Sequence, residues 1–255
     1  MRLTTVGTGT AAPHPRRVQS GTLVECGTAL LLVDCGSGVV YRMAQLQLPW
    51  QQITHVAVTH FHADHTNDLP ALIYGWRYGL LPPRSHPVQL VGPRGLASRL
   101  AGMLQAFGSG LLESPPPITV VELAPGEEWP LGGGAVLGVC KVPHTEESVA
   151  YSVAAGGRRV VITGDTGFDG TLGEWAGDCD LLLCECSLPD ELALPLHLTP
   201  RQCGSLAAVA KPGLLALTHF YPPVEAVAIE DQVAESFDGP VVLCSDGQSF
   251  TLEGS

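Results

Sequence analysis

The sequence lacks any window of about 20 consecutive apolar residues, the length that a membrane-crossing helix needs. It also lacks a charged leader followed by an apolar core and a cleavage site, because Met1 to Val6 reads directly as a strand. These two absences predict a cytoplasmic protein with no membrane association. None of the eight cysteines forms a C-x-x-C pair, which removes the usual zinc knuckle. Cys26, Cys35, Cys140, Cys184, Cys186 and Cys244 sit inside apolar strand-like runs and are expected to be reduced and buried. Basic charge is scarce late in the chain. Residues 1–105 carry eight arginines against four acids, and residues 106–255 carry five basic residues against twenty-one acids. The net charge of −12 therefore divides into +4 and −16, a surface that repels a large polyanion except at a local basic patch in the first part. Low-complexity tails and short-period repeats are absent. With 45% apolar and 15% charged residues over 255 positions, the chain has the makeup of a well-packed globular protein.

A dinucleotide fingerprint is missing as well. Gly7-Thr8-Gly9-Thr10 follows the first strand, but Pro13 and Pro15 intervene before any helix with a third glycine. That turn is expected to bring backbone close to a ligand or a neighbouring loop.

What is present alternates between strand and helix patterns. Strand-like runs fall near 2–6, 21–26, 29–34, 53–59, 88–91, 118–123, 135–142, 149–154, 158–163, 181–185, 214–217 and 241–244. Helical patterns fall near 38–47, 67–78, 94–106, 199–210 and 224–236. Strict βαβ alternation is absent, which favours two mixed sheets packed together with helices outside. Pro115-Pro116-Pro117 marks a join between two pseudo-halves, about 1–114 and 118–255, read as a connector inside one domain spanning 1–255.

The richest stretch is Val56-Ala-Val-Thr-His-Phe-His-Ala-Asp-His65. His60, His62, Asp64 and His65 crowd the end of an alternating strand, on what reads as a tight turn leading into a helix at Asn67–Tyr78. A solvated, histidine-rich loop is the bland alternative. Imidazole nitrogen and carboxylate oxygen are, however, the ligands that divalent metals such as zinc prefer, and so dense a set can serve two ions. Further ligand types stand past later strands: His144 after Val139–Pro143, Asp165 after Val160–Gly164, and His219 after Leu214–Thr218. Singly, each is equally a turn-capping residue.

Thr59-His60-Phe61-His62-Ala63-Asp64-His65, with His144, Gly164-Asp165 and Thr218-His219, resembles the metallo-β-lactamase superfamily over nearly the whole chain. The resemblance implies an α/β sandwich of the αβ/βα kind, with two mixed sheets face to face and a binuclear centre at one edge. It implies one ion on His60, His62 and His144, a second on Asp64, His65 and His219, and Asp165 bridging both. Asp34 would orient ligand imidazoles. Gly7-Thr8-Gly9-Thr10 with Arg16-Arg17, Asp34-Cys35-Gly36-Ser37-Gly38, Glu185-Cys186-Ser187, His197-Leu198-Thr199 and Leu217-Thr218-His219-Phe220 are similar to the tRNase Z branch and its phosphodiesterase relatives. That likeness implies hydrolysis by a water whose pKa two divalent ions lower, zinc being expected, with manganese and iron as alternatives. His197, together with the ligand Asp64, would carry the chemistry, His197 giving the leaving group its proton. His14, Arg16 and Arg17 are candidates for steadying the substrate phosphate.

One departure shapes the expected substrate. The tRNA-clamping members carry a protruding Gly/Pro-rich arm between the third histidine motif and the bridging aspartate, whereas only 21 positions separate His144 from Asp165 here. With the acidic second part, this disfavours tRNA and favours small phosphodiesters such as cyclic nucleotides. The alternatives are a tRNA 3′-end nuclease, an arylsulfatase-like or other ester hydrolase of the same fold, and, from another class, a metal-binding module without turnover. Leu72-Ile73-Tyr74-Gly75-Trp76 could be either a homodimer face or core packing.

Overall fold

The computed structural model describes residues 1–107 and 116–253. In chain order its strands are β1 (Arg2–Gly7), β2 (Gly21–Cys26), β3 (Ala29–Val33), β4 (His55–Ala57), β5 (Val88–Gly92), β6 (Ile118–Glu122), β7 (Glu128–Gly132), β8 (Ala135–Lys141), β9 (Val149–Ala155), β10 (Arg158–Ile162), β11 (Leu181–Glu185), β12 (Leu215–Thr218), β13 (Val241–Leu243) and β14 (Gln248–Thr251). The helices are α1 (Val39–Gln45), α2 (Ala63–Thr66), α3 (Leu69–Tyr78), α4 (Leu96–Gln105), α5 (Gly170–Trp175), α6 (Pro200–Ala210) and α7 (Ile229–Ala234). The strands form two seven-stranded sheets, ordered β14-β1-β2-β3-β4-β5-β6 and β13-β12-β11-β10-β9-β8-β7.

The layers follow from alternation along the strands. On β3, Leu31 and Val33 point between the sheets and meet Leu137, Val153, Ile162 and Leu183 from the other sheet. Leu32, between them, turns to the outer face and packs with Met43, Leu72, Trp76 and Leu100 from α1, α3 and α4. The second sheet repeats the scheme: Val161, Leu182 and Leu215 face Leu172, Leu206 and Val233 of α5, α6 and α7. A period of two places successive side chains on opposite faces, so strands buried on both faces read as continuous apolar runs. Each such side chain contributes roughly 1.5–3 kcal/mol of burial. The result is helices, sheet, sheet, helices, as expected from the sequence.

In the first sheet β3, β4, β5 and β6 run parallel, and in the second so do β10, β11, β12 and β13. Asp34, His60, Asp165 and His219 lie just beyond the C-terminal ends of such strands, where open α/β sheets form their crevices. Two hydrogen bonds between the sheets fix the end of β4. The buried Tyr151 hydroxyl donates to the Val58 carbonyl at 2.7 Å, and the Val149 N–H donates to the Thr59 carbonyl at 3.0 Å.

The structure departs from the sequence reading in several places. The ladder of β4 covers only His55–Ala57, because Thr59 turns away to bond Asp34. Asp64 and His65 belong to the one-turn helix α2 rather than to a turn, and α3 starts separately at Leu69. The expected helix at 224–236 is a 3₁₀ segment, Pro222–Ala226, followed by α7. β7, β14 and α5 have no counterpart in the sequence reading. Pro115 lies outside the described residues, and the two sheets meet in the chain between β6 and β7, since β6 still pairs with β5. β14 returns to pair with β1, so the pseudo-halves do not coincide with the sheets. Leu72, Ile73 and Trp76 are buried in the outer layer, which makes that stretch chiefly core. All eight cysteines are free, and all but Cys140 are buried.

Candidate metal centre

His60, His62, His144 and Asp165 present ligand atoms within 4.8 Å of one another, and so do Asp64, His65, Asp165 and His219. Asp165 belongs to both groups. All seven residues expected from the sequence therefore converge, from the loops after β4, β8, β10 and β12.

Hydrogen bonds around the rings decide which nitrogen of each faces the centre. Asp34, itself buried, accepts from the Thr59 N–H at 2.8 Å, the Thr59 hydroxyl at 2.9 Å and His65 Nδ1 at 2.7 Å. Because the Thr59 hydroxyl is spent on Asp34, its oxygen accepts from His60 Nδ1 at 3.1 Å. His144 Nδ1 donates to the Leu196 carbonyl at 2.8 Å, and His219 Nδ1 meets the Ser187 hydroxyl at 3.0 Å. Four rings thus carry their proton on Nδ1 and aim an Nε2 lone pair inward. His62 differs: its Nδ1 lies 3.1 Å from the lone pair of His144 Nε2 and donates to it, so the two nitrogens stand where one cation could take the place of that proton.

Backbone geometry supports the same convergence. Asp34 and His219 hold φ angles of 59° and 58°, conformations that cost energy in non-glycine residues and persist where surrounding structure enforces them. Gly164 has φ 58°, and a Cβ on it would lie 2.8 Å from the Thr59 Cβ. Only glycine brings Asp165 this close to the Thr59–His60 turn.

The residues fit metal ions. His60 Nε2, His65 Nε2 and Asp165 Oδ1 are buried and have no hydrogen-bond partner, an expensive state for polar atoms that a cation relieves. Burial and the neighbouring His65 push the His60 pKa down to about 2, so the ring is neutral and ready to ligate. Burial works against a charged His65, but Asp165 and Asp34 raise its pKa well above the ordinary value, marking a spot that draws positive charge. Burial opposes ionisation of Asp64, yet the close approach of His219, whose Nε2 lies 3.4 Å away, and of His65 holds its pKa at about 2. The two clusters fit a dinuclear site, neutral nitrogen donors plus ionised carboxylates being the set that such metals take.

His197 sits at the rim. Its ring lies 4.9 Å from that of His144 and stacks 5.9 Å from that of His219. Glu185 holds it: both carboxylate oxygens lie 3.1 Å from His197 Nδ1. The same carboxylate accepts from Ser187 and from the Thr166 N–H. Burial lowers the His197 pKa, but the hydrogen bond and charge of Glu185, followed by Asp165 and Asp64, raise it overall. In the sequence Glu185 stands out only as part of a motif. Its signal is that of Asp165, an acid closing an otherwise apolar strand. Tyr221, whose ring lies 6.0 Å from those of both His197 and His219, carries no such signal and escapes the sequence reading.

The early loop behaves otherwise. Arg17 donates to Glu225 at 2.7 Å, the Thr8 hydroxyl at 2.7 Å and the Cys244 carbonyl at 2.7 Å, and lies over Phe220. His14 Nδ1 accepts from the backbone of Arg16 and Arg17, and its Nε2 lies 3.3 Å from Glu225. These bonds spend His14 and Arg17 on packing the loop, and of the three candidates only Arg16 keeps an exposed side chain with no hydrogen bond or close ion pair among the described residues, although its charge reaches Glu225.

Residues 30–220 match the family described as the beta-lactamase superfamily domain. The chain belongs to the metallo-β-lactamase superfamily. Its tRNase Z-like character comes from relatives across its length. It is 30% identical to a ribonuclease Z of Mycobacterium marinum over 96% of both chains, and 31% identical to one from Mycobacterium sp. strain KMS over 88% of this chain and 85% of that one. Superfamily members of known structure share the fold: YhfI from Bacillus subtilis at TM-score 0.85 and 23% identity, covering 98% of each chain, and the short form of human tRNase Z at 0.79 and 24%, covering 99% and 100%. The structure is thus that of a metal-dependent hydrolase. The relatives favour the ribonuclease alternative over the small-ester phosphodiesterase that the sequence reading put first. Among the described residues no helix is long and apolar enough to cross a membrane.

Proposed function

We propose that the protein is a binuclear metal-dependent phosphodiester hydrolase that cleaves RNA in the manner of ribonuclease Z. The observation that carries this reading is similarity over 96% of both chains to a curated ribonuclease Z, joined to a complete set of seven ligand-type residues. In this reading His60, His62 and His144 would hold one ion and Asp64, His65 and His219 the other, with Asp165, common to both groups, placed to serve either. Two divalent ions, zinc in the first instance, would supply a nucleophilic water near neutral pH and counter the charge on the phosphoryl oxygens. Asp34 fixes the His65 ring and, through Thr59, the His60 ring. Glu185 holds His197 by Nδ1 and favours its protonated form, leaving Nε2 to give a proton to the departing alkoxide, an effect worth roughly 10²–10⁴-fold in rate.

A second reading, hydrolysis of small phosphodiesters such as cyclic nucleotides, has one observation in its favour. The stretch between His144 and Asp165 is filled by β9, β10 and the Gly156-Gly157 turn, which leaves no length for an RNA-clamping arm. Comparing kcat/KM for a precursor tRNA and for a cyclic nucleotide at one ionic strength separates the readings. Position-specific release of the 3′ trailer supports the first, and indifference to RNA with efficient opening of the cyclic ester supports the second.

A further inference from the structure

Beside the His60–His62–His144 cluster opens a cleft of about 580 Å³ that the metal centre does not use. It is lined by Phe61, between two of the candidate ligands in sequence, by Arg94 and Arg99, around the start of α4, and by Lys141, Glu146 and Glu147, from around the β8–β9 turn. Its volume suits one nucleotide. The guanidinium of Arg99 lies 5.7 Å from the centre of the Phe61 ring, so a planar group and an aromatic ring face the same space. Arg94 is exposed and makes no hydrogen bond or ion pair among the described residues. Lys141 is spent: its ammonium donates to the carbonyls of Val142, Thr145 and Ser148.

The charge of the whole chain points the same way. The second part of the sequence carries −16 and repels a polyanion, whereas both arginines of the cleft come from the part that carries +4. Single-stranded RNA is held by just this pairing of an aromatic or guanidinium plane, on which a base stacks, with cations along the backbone. Glu146 and Glu147 accept hydrogen bonds and repel phosphate, which assigns the base's amino edge to their side of the cleft and the phosphate to the arginines.

We propose that this cleft is a subsite for single-stranded RNA flanking the scissile bond, with a base stacked on Phe61 and the backbone phosphate held by Arg94 and Arg99. The subsite gives a chain with so short a segment between His144 and Asp165 a means of gripping RNA through its own body. It deepens the ribonuclease reading and rests on it for the identity of the bond that is cut.

The test is binding of a fluorescein-labelled phosphorothioate RNA trinucleotide to the metal-loaded protein by anisotropy, across a salt series. Phe61→Leu is expected to weaken binding about 10-fold or more. The Arg94→Ala/Arg99→Ala double variant is expected to weaken it and to make the slope of log affinity against log salt shallower by about 0.7 for each phosphate no longer neutralised. Arg158→Ala, whose arginine pairs with Asp180 at the N-terminal end of β10, the opposite end of that strand from Asp165, serves as a charge control and binds like the parent. Metal content measured on each sample shows whether Phe61→Leu has merely disturbed its histidine neighbours, and the arginine variant, away from the ligands, decides the matter if it has. Binding that is unchanged in the double variant, or weakened equally by Arg158→Ala, overturns the proposal. If the parent binds the trinucleotide in this pattern but leaves precursor tRNA intact, the ribonuclease reading fails and the subsite stands.

Discussion

Replacing Asp34 with Asn tests the scaffold of the metal centre without disturbing its backbone. Asp34 has a φ of 59°, a conformation that asparagine tolerates as well as aspartate, so the substitution adds no backbone strain of its own. The carboxylate accepts three hydrogen bonds: from the Thr59 N–H, the Thr59 hydroxyl and His65 Nδ1. An amide can keep its oxygen on the Thr59 N–H, but its NH₂ then meets His65 Nδ1. To accept that bond His65 must move its proton to Nε2, which lies 3.1 Å from Asp165 Oδ1, in the place where a metal would sit. The loss is one charge-assisted hydrogen bond, about 1.5–3 kcal/mol. Spread over metal binding, that is roughly a 10–100-fold loss of affinity, the usual cost of removing an acceptor behind a ligating histidine. The loss should fall mainly on the ion held by Asp64, His65 and His219. Chelator competition followed by metal analysis reads it directly, and circular dichroism confirms the fold. Two ions retained at parental affinity would refute this reasoning.

Asp165→Ala removes the carboxylate common to both clusters, so occupancy of both ions and phosphodiester turnover should fall together, as metal analysis and an assay on one sample will show. Gly164→Ala places a methyl 2.8 Å from the Thr59 Cβ at a φ of 58°, and chemical denaturation should find it destabilised by about 1–3 kcal/mol, with metal affinity reduced as the Thr59–His60 turn shifts. His197→Ala should leave both ions in place and slow turnover most for leaving groups of high pKa, least for nitrophenyl esters whose phenolate departs without a proton. Missing metal in that variant would make His197 a ligand instead.

How much of the fold and the site is legible in the sequence depends on how local each signal is. The double-faced burial of Leu31, Leu32 and Val33 is written in the apolar run itself, and the seven ligand-type residues each follow a strand pattern. The one-turn helix α2 escapes notice because four residues, Ala63 to Thr66, carry no periodicity, and no side chain caps its start. The role of Arg17 is hidden for a different reason: its partners Glu225 and Cys244 lie more than 200 positions away, and nothing near Arg17 announces them. Glu185 is intermediate. Its place at the end of β11 is visible, but its grip on His197, Ser187 and Thr166 needs the loops to fold over it. The substrate is the least legible feature. The short segment between His144 and Asp165 and the negative charge speak against RNA, while the cleft brings Phe61 to Arg94 and Arg99 only in three dimensions.

The central claim, that a dinuclear metal centre in this chain hydrolyses phosphodiesters, is tested most directly by titrating metal-stripped protein with zinc. Bound metal is measured by mass spectrometry and cleavage of a labelled precursor tRNA is followed in the same samples. The account predicts activity that is absent without metal and rises to a plateau as occupancy reaches two ions per chain. Turnover that persists in the stripped protein, or a plateau with no more than one ion bound, would contradict it.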